Sequence, residues 1–84
     1  MDASYAEVGA VVVIGFHHSE RYVFSQDWVN TPTTITKVSN ELDDAGNPWC
    51  RVEADDGRWW WSVCDMILAS DIDLLTPEQR SRIR

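Results

Sequence analysis

Apolar positions fall in short runs separated by clusters of Gly, Pro, Asn and Asp, a strand-and-turn pattern with no helical spacing until the last residues. "VGAVVVIGF" (8–16), rich in β-branched residues and bounded by glycines, predicts a largely buried strand. "HHSE" (17–20) reads as a polar turn or loop. "RYVFS" (21–25) reads as a short strand or extended loop with Tyr22 and Phe24 on one side, and "QDWVNTPT" (26–33) as a loop, because Pro32 bars a central strand there. "TTITKVS" (33–39) returns to strand composition. Ile35 and Val38 are three apart, so a bulge or bend near Lys37 is needed to bring both to the core. "NELDDAGNP" (40–48) predicts a long turn-rich loop. After "DMILAS" (65–70), a tight turn and closing strand, "TPEQRSRIR" changes character. Thr76 is set for an N-cap, Pro77 for the first helical position and Gln79 for the capping box of a short helix. Residues 1–6 carry no pattern and are expected to fray.

The clearest unit is "WCRVEA" (49–54), "DDG" (55–57) and "RWWWSVC" (58–64), since Asp-Gly between two β-type runs is a strong hairpin signal. A two-residue turn at Asp56-Gly57 sets Ala54 opposite Trp59, Val52 opposite Trp61, Cys50 opposite Val63 and Trp49 opposite Cys64. One face then holds Cys50, Val52, Ala54, Trp59, Trp61 and Val63. The other holds Trp49, Arg51, Glu53, Trp60 and Ser62. This register predicts that Trp59 and Trp61 are core, each burying on the order of 150–250 Å², while Trp60 points outward. A three-residue loop with a bulge at Gly57 is the alternative. It would turn Trp60 inward and bring Cys50 and Cys64 to one face.

Composition narrows the function classes. Eighty-four residues, 44% of them hydrophobic, make one globular domain near the lower size limit for a self-sufficient core. The longest apolar run is too short to span a bilayer, and no charged leader precedes it, so a cytoplasmic location is expected. Fourteen acids face seven bases, and three of the bases are Arg80, Arg82 and Arg84; residues 1–79 carry only four. Such a body repels nucleic acid, so no direct nucleic-acid binding and no membrane association are expected. Two cysteines give no disulfide framework and are expected to be reduced and buried.

Candidate chemistry is sparse. His17 and His18 with Cys50 and Cys64 lack the close spacing of a zinc site, so no metal is expected. Asp43-Asp44 and Asp55-Asp56 lie in turns, where aspartate serves backbone geometry, and neither pair matches a calcium loop. The four glycines are scattered and form no phosphate cradle. No nucleophile and base are arranged for catalysis, so neither catalytic residues nor a cofactor is expected. What remains is a binding platform of Tyr22, Trp28, Trp49 and Trp60 with Arg51 and Glu53, rimmed by Glu20, Asp27, Asp43 and Asp44. Aromatic faces backed by carboxylates suit a basic peptide or a basic protein surface. Two further readings compete: an acidic decoy that mimics nucleic acid to inhibit a basic protein, and a weak homodimer joined through Trp60.

The order of elements resembles small SH3-like β-barrels, in particular the SH3-like repeat of the mind bomb ubiquitin ligases and short stand-alone bacteriophage proteins. The likeness covers about residues 7–69. It is carried by Thr34-Ile35-Thr36-Lys37-Val38 and by Val52-Glu53 followed by Asp55-Asp56-Gly57 and tryptophan. The resemblance implies a five-strand barrel whose relatives bind peptides or protein tails through aromatic grooves, and a phage-encoded module acting on a host protein. An ALYDY-type segment is absent, which argues against proline-rich ligands. The expectation is thus an all-β, SH3-like five-strand barrel over 7–70, a flexible 1–6 and a tail with a short helix over 71–84, working as a non-catalytic protein-binding module.

Overall fold

One long strand organises the fold. In a computed structural model that describes residues 1, 3–17 and 28–83, β2 (Pro32–Leu42) lies at the centre of a five-stranded antiparallel sheet. The other strands are β1 (Val11–Val13), β3 (Pro48–Val52), β4 (Trp61–Ser62) and β5 (Ile67–Leu68), in the order β4-β3-β2-β1-β5. The first residues of β2 pair with β1, Val11 opposite Thr34 and Val13 opposite Pro32. Pro32 sits at the first position of its strand, where a missing N–H is tolerated. From Ile35 onward β2 pairs with β3.

Between Ile35 and Lys37 β2 advances two residues while β3 advances one, from Val52 to Arg51. The extra residue bends the strand. Ile35 is fully buried and Val38 packs against the same core, as their spacing predicts. That core comprises Val12, Ile14, Val29, Ile35, Cys50, Val52, Trp61, Val63 and Met66. Val13, Phe16 and Ile67 form a second cluster, covered by Ile72, Leu75 and Ile83. Neighbouring Val12 and Val13 thus serve opposite faces of the pleat, which explains a continuous rather than alternating apolar run in β1. Each buried aliphatic or aromatic side chain here contributes about 1.5–3 kcal/mol.

The C-terminal residues form the lid over that second cluster. A 3-10 turn spans Ala69–Leu74, and α1 (Pro77–Arg80) follows. Thr76 and Gln79 close the capping box: the Gln79 N–H donates to Thr76 Oγ1 at 3.2 Å, and the Thr76 N–H donates to Gln79 Oε1 at 3.0 Å. The Arg82 guanidinium lies 4.3 Å from the Phe16 ring centre. At the other end of the chain, Ala3–Tyr5 is a 3-10 turn, and Met1 and Ala6 pack against the main core.

The hairpin departs from its predicted form. Trp49 faces Ser62 and Cys50 faces Trp61, a shift of two residues from the expected pairing of Trp49 with Cys64. A two-residue shift keeps every side chain on its face, so Cys50 and Trp61 are inside as predicted. The connection is correspondingly longer. Glu53–Asp55 forms a 3-10 turn, Asp56 and Gly57 adopt positive φ (57° and 72°), and residues 58–60 lie outside any strand. Trp59 is therefore not core: it is 52% exposed, against 3% for Trp61. The three-residue alternative is not adopted either, since Trp60 stays outside and Cys50 and Cys64 do not share a face. Cys64 is exposed rather than buried, because it lies in the 3-10 turn Val63–Asp65 beyond β4. The loop expected over 40–48 is shorter, with β2 running on to Leu42 and β3 beginning at Pro48.

Candidate functional site

The aromatic surface is built on a second irregularity between β2 and β3. From Val38 to Leu42 β2 advances four residues while β3 advances only two, from Cys50 to Pro48. Ser39 repairs the interrupted ladder: its hydroxyl accepts the Trp49 N–H at 3.2 Å and donates to the Glu41 carbonyl at 2.6 Å. Trp49 is thereby fixed at the edge of an open groove of about 660 Å³, bounded by Lys37–Glu41 on one side and by Trp49 and Trp60 on the other.

Trp60 reaches the groove because of the turn before it. The Gly57 N–H donates to the Val52 carbonyl and the Asp56 N–H to the Glu53 carbonyl, both at 3.0 Å. This returns the chain toward β3. Arg51 then grips the turn from below: its Nη1 donates to the Gly57 carbonyl at 2.8 Å, and its guanidinium carbon lies 4.4 Å from the Trp60 ring centre. Lys37, the register partner of Arg51 on β2, brings its Nζ to 6.0 Å from the same ring centre. Trp60 is 38% exposed and shares its indole with two cations of its own chain.

Beyond Trp49 lies a second, shallower hollow of about 410 Å³ lined by Leu42–Ala45 and Trp49 itself. Asp43 shapes this end. Its Oδ1 accepts the N–H groups of Ala45 and Asn47, each at 2.9 Å, and Gly46 takes φ 83° to close the loop. The exposed Asp44 stands at the same rim. Trp49 lines both hollows, one holding Lys37 and the other Asp43 and Asp44.

Of the predicted platform, Trp49, Arg51 and Trp60 come together, with Asp43 and Asp44 in the second hollow that Trp49 lines. Trp28 does not line either hollow. It is half-buried against the main core, and the Arg58 guanidinium lies 5.9 Å from its ring centre. Glu53 is exposed in its 3-10 turn and lines neither hollow. Tyr22, Glu20 and Asp27 lie outside the described residues. Lys37, Ser39 and Glu41 were missing from the predicted site, although the bend expected at Lys37 already implied that its side chain turns away from the core.

Among the described residues no group of three or more His, Cys, Asp or Glu side chains could hold a metal ion, and no helix is long and apolar enough to cross a membrane. Asp65 and Asp55 are buried, and Asp55 serves the tryptophan turn. Burial pushes the Cys50 thiol above its ordinary pKa. Comparison of the chain with family models, curated proteins and solved structures finds no match in any of the three.

Proposed function

We propose that the chain is a non-catalytic protein-binding module of SH3-like, five-strand build, and that the Trp49–Trp60 groove holds an extended, partly basic segment of a protein partner. The strand order β4-β3-β2-β1-β5, with one long bent strand shared by both halves of the sheet, supports the fold part of this reading. The observation that carries the functional part is the groove itself. It presents two accessible indoles beside a carboxylate-bearing rim, on a chain of net charge −7. The rim at Asp43 and Asp44 is where a basic side chain of the partner is best received. The Trp60 face is less suited, because Arg51 already lies against it. An acidic-decoy role is weaker, since the larger hollow is lined by Lys37 and backed by Arg51.

A fluorescence titration with short capped peptides of basic, acidic and proline-rich composition tests the reading. Peptides with basic residues should bind, and Trp49→Ala or Trp60→Ala should weaken them roughly thirtyfold, as loss of a central aromatic anchor does. Trp59→Ala, also exposed but outside the groove, should leave binding intact. Equal binding by all three variants would overturn the assignment of the groove.

A further inference from the structure

We infer that the Lys37 end of the groove is a carboxylate subsite, which receives an acidic side chain of the bound segment while the segment's basic residue lies toward Asp43 and Asp44. The inference rests on the peptide-binding reading of the groove and adds a charge order to it.

Only four bases precede Arg80 in this chain, and two of them, Lys37 and Arg51, occupy the same rung of the β2–β3 ladder. Like charges directly opposite each other destabilise a sheet. Both cations lean on one indole, Trp60, which softens their repulsion without neutralising it. Among the described residues neither is paired with a carboxylate. The Arg51 Nη1 goes to a backbone carbonyl, and its Nε is enclosed with no acceptor. Among the described residues the rung thus carries two positive charges without a carboxylate partner, beside an open hollow on a protein that is otherwise strongly acidic.

An anion delivered into that hollow meets Lys37 directly, with Arg51 behind it, and relieves the opposition between them. A singly charged carboxylate fits better than a phosphate, whose larger charge would be set against Glu41 in the same hollow. Because Trp49 lines both this hollow and the one holding Asp43 and Asp44, the two together impose one direction on an extended ligand, acid at one end and base at the other.

The test uses a short capped peptide with glutamate near one end, arginine near the other and apolar residues between, together with its glutamine version. On the wild-type protein, glutamate-to-glutamine should weaken binding about tenfold, the usual scale for one charge-assisted contact. Lys37→Gln should weaken the parent peptide to a similar degree and abolish its preference for glutamate, while Lys37→Arg retains both. The thermal midpoint of free Lys37→Gln should match or exceed that of the wild type, because a like-charge contact is lost. Unchanged affinity on both glutamate-to-glutamine and Lys37→Gln, with Trp49→Ala still weakening binding roughly thirtyfold, overturns the subsite and leaves the groove standing. Failure of every peptide to bind overturns groove and subsite together. A large drop in the Lys37→Gln midpoint also overturns the subsite, by making Lys37 a structural residue.

Discussion

The buried carboxylate of Asp55 accepts the indole N–H of Trp61 at 3.0 Å, so the residue that opens the turn also anchors the only tryptophan of the triplet that enters the core. The same Oδ2 accepts the Trp59 N–H at 3.1 Å, and Oδ1 accepts the Gly57 N–H at 3.1 Å. One side chain therefore accepts from three donors of the irregular turn, sharing the Gly57 N–H with the Val52 carbonyl. This accounts for the longer connection. A tight two-residue turn would put Trp59 inside and give the Trp61 N–H no acceptor from Asp55.

Asp55→Ala should be among the most destabilising single changes in the chain, by about 3 kcal/mol, because buried donors lose their acceptor together. Asp55→Asn keeps one carbonyl oxygen and should cost about half as much. Urea denaturation followed by tryptophan fluorescence measures both. Equal, small effects would mean that Asp55 does not organise the turn.

The adjacent tryptophans should behave oppositely on truncation. Trp61→Ala removes a core side chain and should cost about 3–5 kcal/mol. Trp59→Ala removes a half-exposed one and should stay within about 0.5–1 kcal/mol. Denaturant midpoints of the two variants check this directly.

These residues also mark the limit of what the chain reveals without its structure. Period-two alternation placed Trp61 and Cys50 inside and Trp60 outside, and these placements survive because the register shifts by two residues, which keeps each side chain on its face. The bulge at Lys37 was legible from the spacing of Ile35 and Val38, and the capping box from Thr76 and Gln79. Register was not legible. It was decided by where one carboxylate finds its donors, and sequence spacing does not encode that Asp55 would be buried. The groove was half legible. Trp49, Arg51 and Trp60 follow from the outward face of β3 and its turn. The contribution of Ser39 depends on the second register shift, between Val38 and Leu42, which no local pattern announces.

The two thiols should differ sharply. Cys64 is exposed and should react with a thiol reagent in the native protein, whereas Cys50 should react only on unfolding. Burial raises the Cys50 pKa above 9.0, so the folded state holds its proton longer than the unfolded state. Its contribution to stability is therefore complete below pH 9.0 and declines as the pH rises further, through the folded value. Cys50→Ala should flatten that alkaline decline while costing some stability at neutral pH. Thiol counting and denaturation at two pH values test the pair of claims.

The C-terminal residues should contribute to stability rather than trail from the domain. Ile72, Leu75 and Ile83 cover Val13, Phe16 and Ile67, and Arg82 lies on Phe16. Ile83→Ala should cost about 1 kcal/mol, given that Ile83 is only partly buried. Removing residues 76–84 should cost more and expose Phe16, raising the binding of an apolar dye. An unchanged thermal midpoint after truncation would show that the cluster does not need its cover.

Arg51 ties the stability of the turn to the geometry of the groove, which makes a conservative replacement informative. Arg51→Lys keeps the positive charge opposite Lys37 but loses the planar group that spans the Gly57 carbonyl and the Trp60 ring. It should cost about 1 kcal/mol, through one hydrogen bond and one stacking contact. Trp60, released from its support, should become more accessible to a fluorescence quencher, while Trp61 stays shielded. Because Gly57 has φ 72° and its added Cβ would meet only Arg51 Cδ at 3.8 Å, Gly57→Ala strains the backbone without blocking the guanidinium. It should therefore destabilise to a similar extent yet leave the quenching of Trp60 unchanged. If both variants expose Trp60 equally, the indole is held by the turn alone, and Arg51 has no separate part in setting the groove.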